Sequence, residues 1–375
     1  MNKKIGTLII AFLMILTVAI CGCTDSSSSA TETNENTNTI TVVDAAGRTV
    51  EVPKNPEKII ALRGASREVV YLRAQDKIIG IEFREGSLKG DGIYPSAFQI
   101  PHIAAYPELI NLTVVTAGST INFEEITKIQ PDIIFMGTSG ALYADDTQKK
   151  TGIPVVIVHV NAVGTEAEHE KYYETLRLMG EILGKEERAE ELISIIEEYE
   201  TDLANRVADI PDEERPTVYI AGRPYCGAHG LDGTDAQWIP FRLINANNIA
   251  SGLSNISEGL TINKEQLLEW DPEYIFASEA SMRFINNDLS DSAYQGLSAI
   301  KNGNVYGVLP YCWYSYNKDS GIADAYFIGK TIYPEQFSDI DPEAKADEIY
   351  EKFLGKPVYS AMETQFGGYI ELTNN

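Results

Sequence analysis

The 375-residue chain is short of the residues on which catalysis is usually built. Its four histidines stand apart at His102, His159, His169 and His229, and no G-x-S-x-G, P-loop or H-E-x-x-H pattern occurs. Nothing marks a nucleophile, a phosphate cradle or a zinc-protease helix, so binding without turnover is expected, with no cofactor and no dedicated metal. Positive charge is scarce too: 30 Lys and Arg against 55 Asp and Glu give a formal net charge of −25 at pH 7. Such a surface repels nucleic acid and acidic membranes over the distances that steer encounter, and neither is expected as a partner. Only two of the four cysteines, Cys226 and Cys312, fall outside the N-terminal segment.

That segment holds an apolar run, residues 8–20, preceded by Lys3 and Lys4 and followed by "CGCTDSSSS". The run is shorter than the roughly 20 residues of a spanning helix and reads as a signal-peptide core. The tetrad Ile20-Cys21-Gly22-Cys23 resembles a lipobox, with Cys23 as the lipidated first residue of the mature chain, since small Gly22 precedes it. An uncleaved membrane anchor is the alternative. Residues 25–38, rich in Ser, Thr, Asn and Glu, have almost nothing to bury and read as a tether. Either way the body is expected outside the cytoplasm, held to the outer face of the cytoplasmic membrane.

The folded part repeats itself. "INFEEITKIQPDIIF" (121–135) returns as "INKEQLLEWDPEYIF" (262–276), 262 − 121 = 141 positions later. Each copy predicts an Asn-capped helix, stopped by Pro131 or Pro272, and then a short buried strand, which is a helix-to-strand unit of a parallel sheet. Upstream, "PEKIIALRG" (56–64) echoes "PTVYIAGRP" (216–224) at 216 − 56 = 160 positions, aligning Arg63 with Arg223. Two echoes in one order predict two related α/β lobes, Rossmann-like and built on parallel-type sheets. Between them, Thr165 and Glu168 form a capping box, Gly184 interrupts the helical pattern, and residues 186–207 predict one long, stiff backbone helix. The expected division is a signal peptide (1–22), a tether (23–39), a first lobe (40–163), connecting helices (164–208) and a second lobe (209–375).

Several stretches carry a wider resemblance. "ITVVDAAGRTVEVPKNPEKIIAL" (40–62), "DKIIGIE" (76–82), the two repeat copies and "NGNVYGV" (302–308) resemble the helical-backbone solute-binding lipoproteins of ABC importers, over about residues 40–355. That resemblance implies a monomer that captures a metal complex (ferric siderophore, haem or corrinoid) and delivers it to a permease and its ATPase. A few members bind bare oxyanions such as molybdate or tungstate instead, and a chelatase-like enzyme is the rival class. It also implies one docking carboxylate per lobe, for which Glu108 and Glu258 are the candidates. Residues 82–111 are longer here than the family's usual connection and are rich in Gly and Pro.

Ligands of open parallel sheets bind beyond the carboxyl ends of the strands, which places the site in the cleft between the lobes. Candidates there are Arg63, Phe83, Arg84, Ser119, Ser139, Arg223, Tyr225, His229 and Glu279, with Tyr311, Trp313, Tyr314 and Tyr316 of "YCWYSYN". If Arg63 and Arg223 are equivalent, two guanidinium forks face one anionic ligand; the bland alternative is that each pairs with a neighbouring carboxylate. The aromatic loop suits a flat or apolar chelate face. Cys226 and His229 have C-x-x-H spacing, but a Cys226–Cys312 disulfide or two buried thiols is favoured over a metal site built with Glu279.

Overall fold

A computed structural model describes residues 38–83, 100–163, 165–223, 228–312 and 315–373. Two all-parallel sheets form, as the α/β reading requires. In the first, Ile59–Leu62 is central, with Ile78–Ile81 and Thr113–Val114 on one side and Ile133–Gly137 and Val155–Val158 on the other. In the second the order is Asn247–Asn248, Thr217–Ala221, Tyr274–Ser278, Val305–Val308.

The repeat is reproduced down to single hydrogen bonds. Asn122 caps the helix Phe123–Ile129 by accepting from the Glu125 amide (3.2 Å), and Asn263 caps Lys264–Trp270 by accepting from the Gln266 amide (2.7 Å). Each helix ends on a left-handed residue, Gln130 (φ 50°) or Asp271 (φ 43°), just before its proline. The following acid then ties two strands together. The Asp132 carboxylate accepts from the Glu57 and Lys58 amides, both at 2.8 Å, and the Glu273 carboxylate accepts from the Thr217 amide at 2.8 Å.

Sheet register corrects the second echo. Ile59 lies opposite Ile133 and Val218 opposite Tyr274, and since 274 − 133 = 141, Val218 is the counterpart of Ile59. The true offset is 218 − 59 = 159, not 160. Arg63 therefore corresponds to Gly222, and both are left-handed (φ 57° and 68°), while Arg223 corresponds to Gly64. One residue is enough to send the two side chains in different directions at the strand ends.

Alternation along the strands sorts the apolar residues into three cores. Ile59, Ala61, Ile133, Phe135, Val156 and Val158 of the first sheet share one core with Val218, Ile220, Phe276 and Val308 of the second. Outward-facing Ile60, Leu62, Ile134 and Met136 pack in a separate core, as do Tyr219, Ala221, Ile275 and Ala277 on the other lobe. The connecting helices Glu166–Leu183 and Glu186–Arg206 belong to the shared core, and the Thr165/Glu168 capping box is present. The helix Pro342–Leu354 crosses back to the first lobe: the Phe353 ring meets that of Tyr71 at 5.1 Å, and Leu354 O accepts from the Tyr106 hydroxyl (2.7 Å). The chain assigned to the second lobe thus lends a helix to the first.

At the seam the contacts are polar and buried. Lys318 Nζ donates to Glu68 Oε1 and to Val160 O, both at 3.0 Å, and Arg67 Nε donates to Asn317 Oδ1 (2.7 Å). Lys318 opens the helix Lys318–Ile332, so the first lobe and this helix are joined by charges that water does not reach. Removing one member of such a pair leaves a buried charge uncompensated. Lys318→Met should cost about 3–5 kcal/mol in urea unfolding, and adding Glu68→Gln should recover part of it. A cost below about 1 kcal/mol for Lys318→Met would show that the seam does not depend on this pair.

Candidate functional site

The strand Ile59–Leu62 runs out into Arg63 and Gly64 at the cleft, both left-handed (φ 57° and 87°). Their amides donate to Glu82 Oε2 at 2.7 and 3.4 Å, and Glu82 itself follows the neighbouring strand Ile78–Ile81. Glycine is required at 64, where a Cβ would stand 2.6 Å from that of Ser315 in the facing segment. Arg63 Nη2 donates to Ser119 O (2.7 Å), its guanidinium lies 5.6 Å from the Tyr143 ring centre, and its buried Nε has no partner among the described residues. Around it is a cavity of about 290 Å³. Arg63, Glu82, Ser119, Ser139 and Asn161 line it, together with Ser315 and Tyr316.

Arg223 is placed differently. It is buried, Nε donates to Asp235 Oδ2 (3.2 Å) and Nη2 to the Tyr316 hydroxyl (2.9 Å). Burial pushes the Asp235 carboxyl up to about 6, against the attraction of Arg223 and hydrogen bonds from the Gln237 amide and Ser257 Oγ. The expected pair of equivalent forks therefore resolves into one arginine in the cavity and one ion-paired behind it, joined to the cavity through Tyr316. Tyr311 is fully buried, edge-on to Trp238 at 5.0 Å, and does not line the cavity.

Other candidates lie apart from the cavity or outside the described residues. The His229 amide donates to Ser281 Oγ (3.4 Å) within the second lobe. Cys312 is a buried thiol without a disulfide, pushed up to about 12 by burial. Arg84, Tyr225, Cys226, Trp313, Tyr314 and Cys23 fall outside the described residues. Among the described residues no three His, Cys, Asp or Glu side chains form a metal cluster, and no helix is long and apolar enough to cross a membrane. Glu108 is exposed, and half-buried Glu258 accepts from Ser254 Oγ (2.9 Å). A larger depression, about 470 Å³, lies on the helices carrying Tyr199, Tyr326 and Lys345; its polar groups already pair with one another, as Tyr326 does with Asp202 and Arg206 with Asp339. Sequence reading missed Glu82, Asn161 and Asp235, and included Ser315 only as part of the segment 311–317. Of these only Glu82 carried a signal, as an acid closing an apolar run.

Glu279 is buried beneath the C-terminal segment, where a Cβ on Gly307 would stand 2.7 Å from its Oε1. Nearby Asp324 accepts from the Leu309 amide (3.1 Å) and the Tyr369 hydroxyl (3.3 Å). Burial raises both carboxyls well above their usual range, and the charge of Glu279 raises Asp324 further. Their contribution to stability is complete below the ordinary carboxylate range and is lost as pH rises through and beyond it. Glu279→Gln should therefore flatten the decline in unfolding free energy above about pH 5, leaving the variant more stable than the parent at pH 8 but not at pH 4. Parallel pH curves in denaturant titrations would contradict this placement.

Comparison with known proteins agrees with this fold. Molybdate-binding protein MolA of Haemophilus influenzae is 21% identical over 330 residues, 83% of this chain and 90% of the relative. The ABC transporter substrate-binding lipoprotein YvrC of Bacillus subtilis is 20% identical over 273 residues, 72% of this chain and 78% of the relative. Among solved structures, molybdate-bound MolA superposes with a TM-score of 0.67 at 20% identity, covering 85% of this chain and 98% of that one. Helicobacter pylori CeuE with Ni(II) bound gives 0.63 at 18% identity, covering 87% and 99%. These likenesses establish the fold. The sequence pattern of the periplasmic binding protein family matches residues 92–311, more than half of the chain, and the chain belongs to that family as a solute-binding protein of an ABC transporter.

Proposed function

We propose that the cleft captures an anionic, oxygen-rich metal complex and passes it to the permease and ATPase of an ABC importer by stoichiometric binding, without turnover. The observation that carries this is Arg63. Its Nη2 is pinned by Ser119 O while its buried Nε has no partner among the described residues, and hydroxyl and amide groups of Ser139, Asn161, Ser315 and Tyr316 share the cavity. A guanidinium with a donor to spare, beside neutral donors, suits ligand oxygens rather than an apolar body. Tyr316 adds an aromatic face, and Trp313 and Tyr314 follow Cys312 in the sequence. The likeness to nickel-bound CeuE supports a metal complex as cargo.

The second reading is a bare oxyanion. A cavity of about 290 Å³ stands at the small end of the usual range for ligand sites, and the relative MolA is a molybdate-binding protein. Delivery rests on Cys23 as lipid anchor and on Glu108 and Glu258 as docking carboxylates, with the protein acting as a monomer.

Arg63→Ala should weaken whichever ligand binds by about ten-fold or more, a charge-assisted hydrogen bond contributing about 1.5–3 kcal/mol. Trp313→Ala should cost a chelate comparably and a bare oxyanion almost nothing. Titrating both variants calorimetrically with ferric siderophores, haem, corrinoids and molybdate checks this. An Arg63→Ala protein with parental affinity for its ligand would refute the reading.

A further inference from the structure

The turn against which Arg63 rests leaves apolar surface in solvent beside the cavity. After the strand Ile133–Gly137 the chain enters a 3₁₀ turn, Thr138–Tyr143, and then the helix Ala144–Thr151. Ala141 and Ala144 anchor this segment on the outer core of the first lobe. The two residues between them stay outside. Leu142 is 93% exposed, the most of any large apolar side chain among the described residues, and Tyr143 is 51% exposed. A lone exposed leucine calls for no explanation, but this one has a place. Residues three apart eclipse on a 3₁₀ turn, so Leu142 shares a face with Ser139, which lines the cavity. Tyr143 lies against Arg63 itself, its ring centre 5.6 Å from the guanidinium. Gly140 lets the Arg63 stem rest on the same turn, since a Cβ there would stand 2.9 Å from Arg63 Cγ.

Resting on the anion reading above, we infer that Leu142 and Tyr143 form an apolar rim to the Arg63 cavity and select an anionic chelate with aromatic or apolar faces beyond its oxygens. The polar cavity, about 290 Å³, takes the oxygens beside Arg63, and what does not fit inside meets the rim. The Tyr143 ring is already held by the attraction of a cation for a π face, so little ordering is left to do when its open side is covered. Covering Leu142 and that side of the ring removes apolar area from water. A small hydrophilic oxyanion seated wholly inside the cavity makes no such gain. Recognition is thereby divided: Arg63 reads charge, and the rim reads the body of the ligand.

Calorimetric titration of the full chain with ferric tris-catecholate, ferric citrate and molybdate tests this, the first two being anionic ferric chelates that differ in their aromatic rings. The parent should bind the tris-catecholate about ten-fold or more tighter than either of the others. Leu142→Ser, at an exposed position where folding is not at stake, should weaken the tris-catecholate by about five-fold and leave citrate and molybdate within about two-fold. Tyr143→Ala should weaken the tris-catecholate at least as much, by a factor that does not change with salt, and Tyr143→Phe, which keeps the ring, should restore it. A tyrosine that only braced Arg63 would weaken all three anions alike, and the loss would shrink as salt rises. If the parent prefers citrate or molybdate, or if the Leu142 and Tyr143 variants leave the tris-catecholate unchanged or weaken all three equally, the inference fails, while a loss in Arg63→Ala keeps the anion reading. Should none of the three bind, the inference fails as well; the anion reading falls with it only if Arg63→Ala alters the affinity of no ligand.

Discussion

The structure depends on the closure of a single apolar core across two sheets. Each sheet buries its outer face in a core of its own, but the inner faces share one, with the connecting helices, the helix Lys318–Ile332 and the C-terminal helices inside it. Moving one lobe against the other would expose that shared surface, at about 25 cal/mol for each Å² of apolar area uncovered. It would also part Lys318 from Glu68 and Arg67 from Asn317, which lie at the seam and are inaccessible to water. The carboxyl ends of the strands meet directly above this seam. The cleft is thus held in shape by what lies beneath it, and its residues reach the ligand already oriented, which lowers the ordering cost of binding.

Much of this was legible in the sequence because the signals were local. The Asn cap, the proline stop and the buried strand of each repeat copy all lie within fifteen residues, and each formed as its pattern required. The capping box at Thr165 and the break at Gly184 are of the same kind. Register was less secure. Matching prolines at 56 and 216 and matching arginines at 63 and 223 favoured an offset one residue too long, and nothing in a four- or five-residue apolar strand distinguishes adjacent alignments. A slip of one residue leaves the sheets intact and changes only where the side chains at their ends go, so the fold was readable while the site was only partly so.

What stayed hidden were the partners brought in from far along the chain. Asp235 is one acid among 55 until folding brings it against Arg223. Asn161 becomes a cavity residue only when the lobes meet. The consequence is chemical as well as geometric. Each arginine comes with an acid, Glu82 accepting from the backbone amide of Arg63 and Asp235 from the guanidinium of Arg223.

Pulsed-EPR distances between labels on two exposed residues, Asp146 in the first lobe and Glu269 in the second, would test the shared-core account most directly, with and without saturating ligand. If the seam holds the cleft in shape, the distance distribution should shift by no more than about 1 Å on binding, as for preorganised partners. A shift well beyond about 2 Å, or two resolved populations that exchange weight with ligand, would contradict it and make lobe closure the event that forms the site.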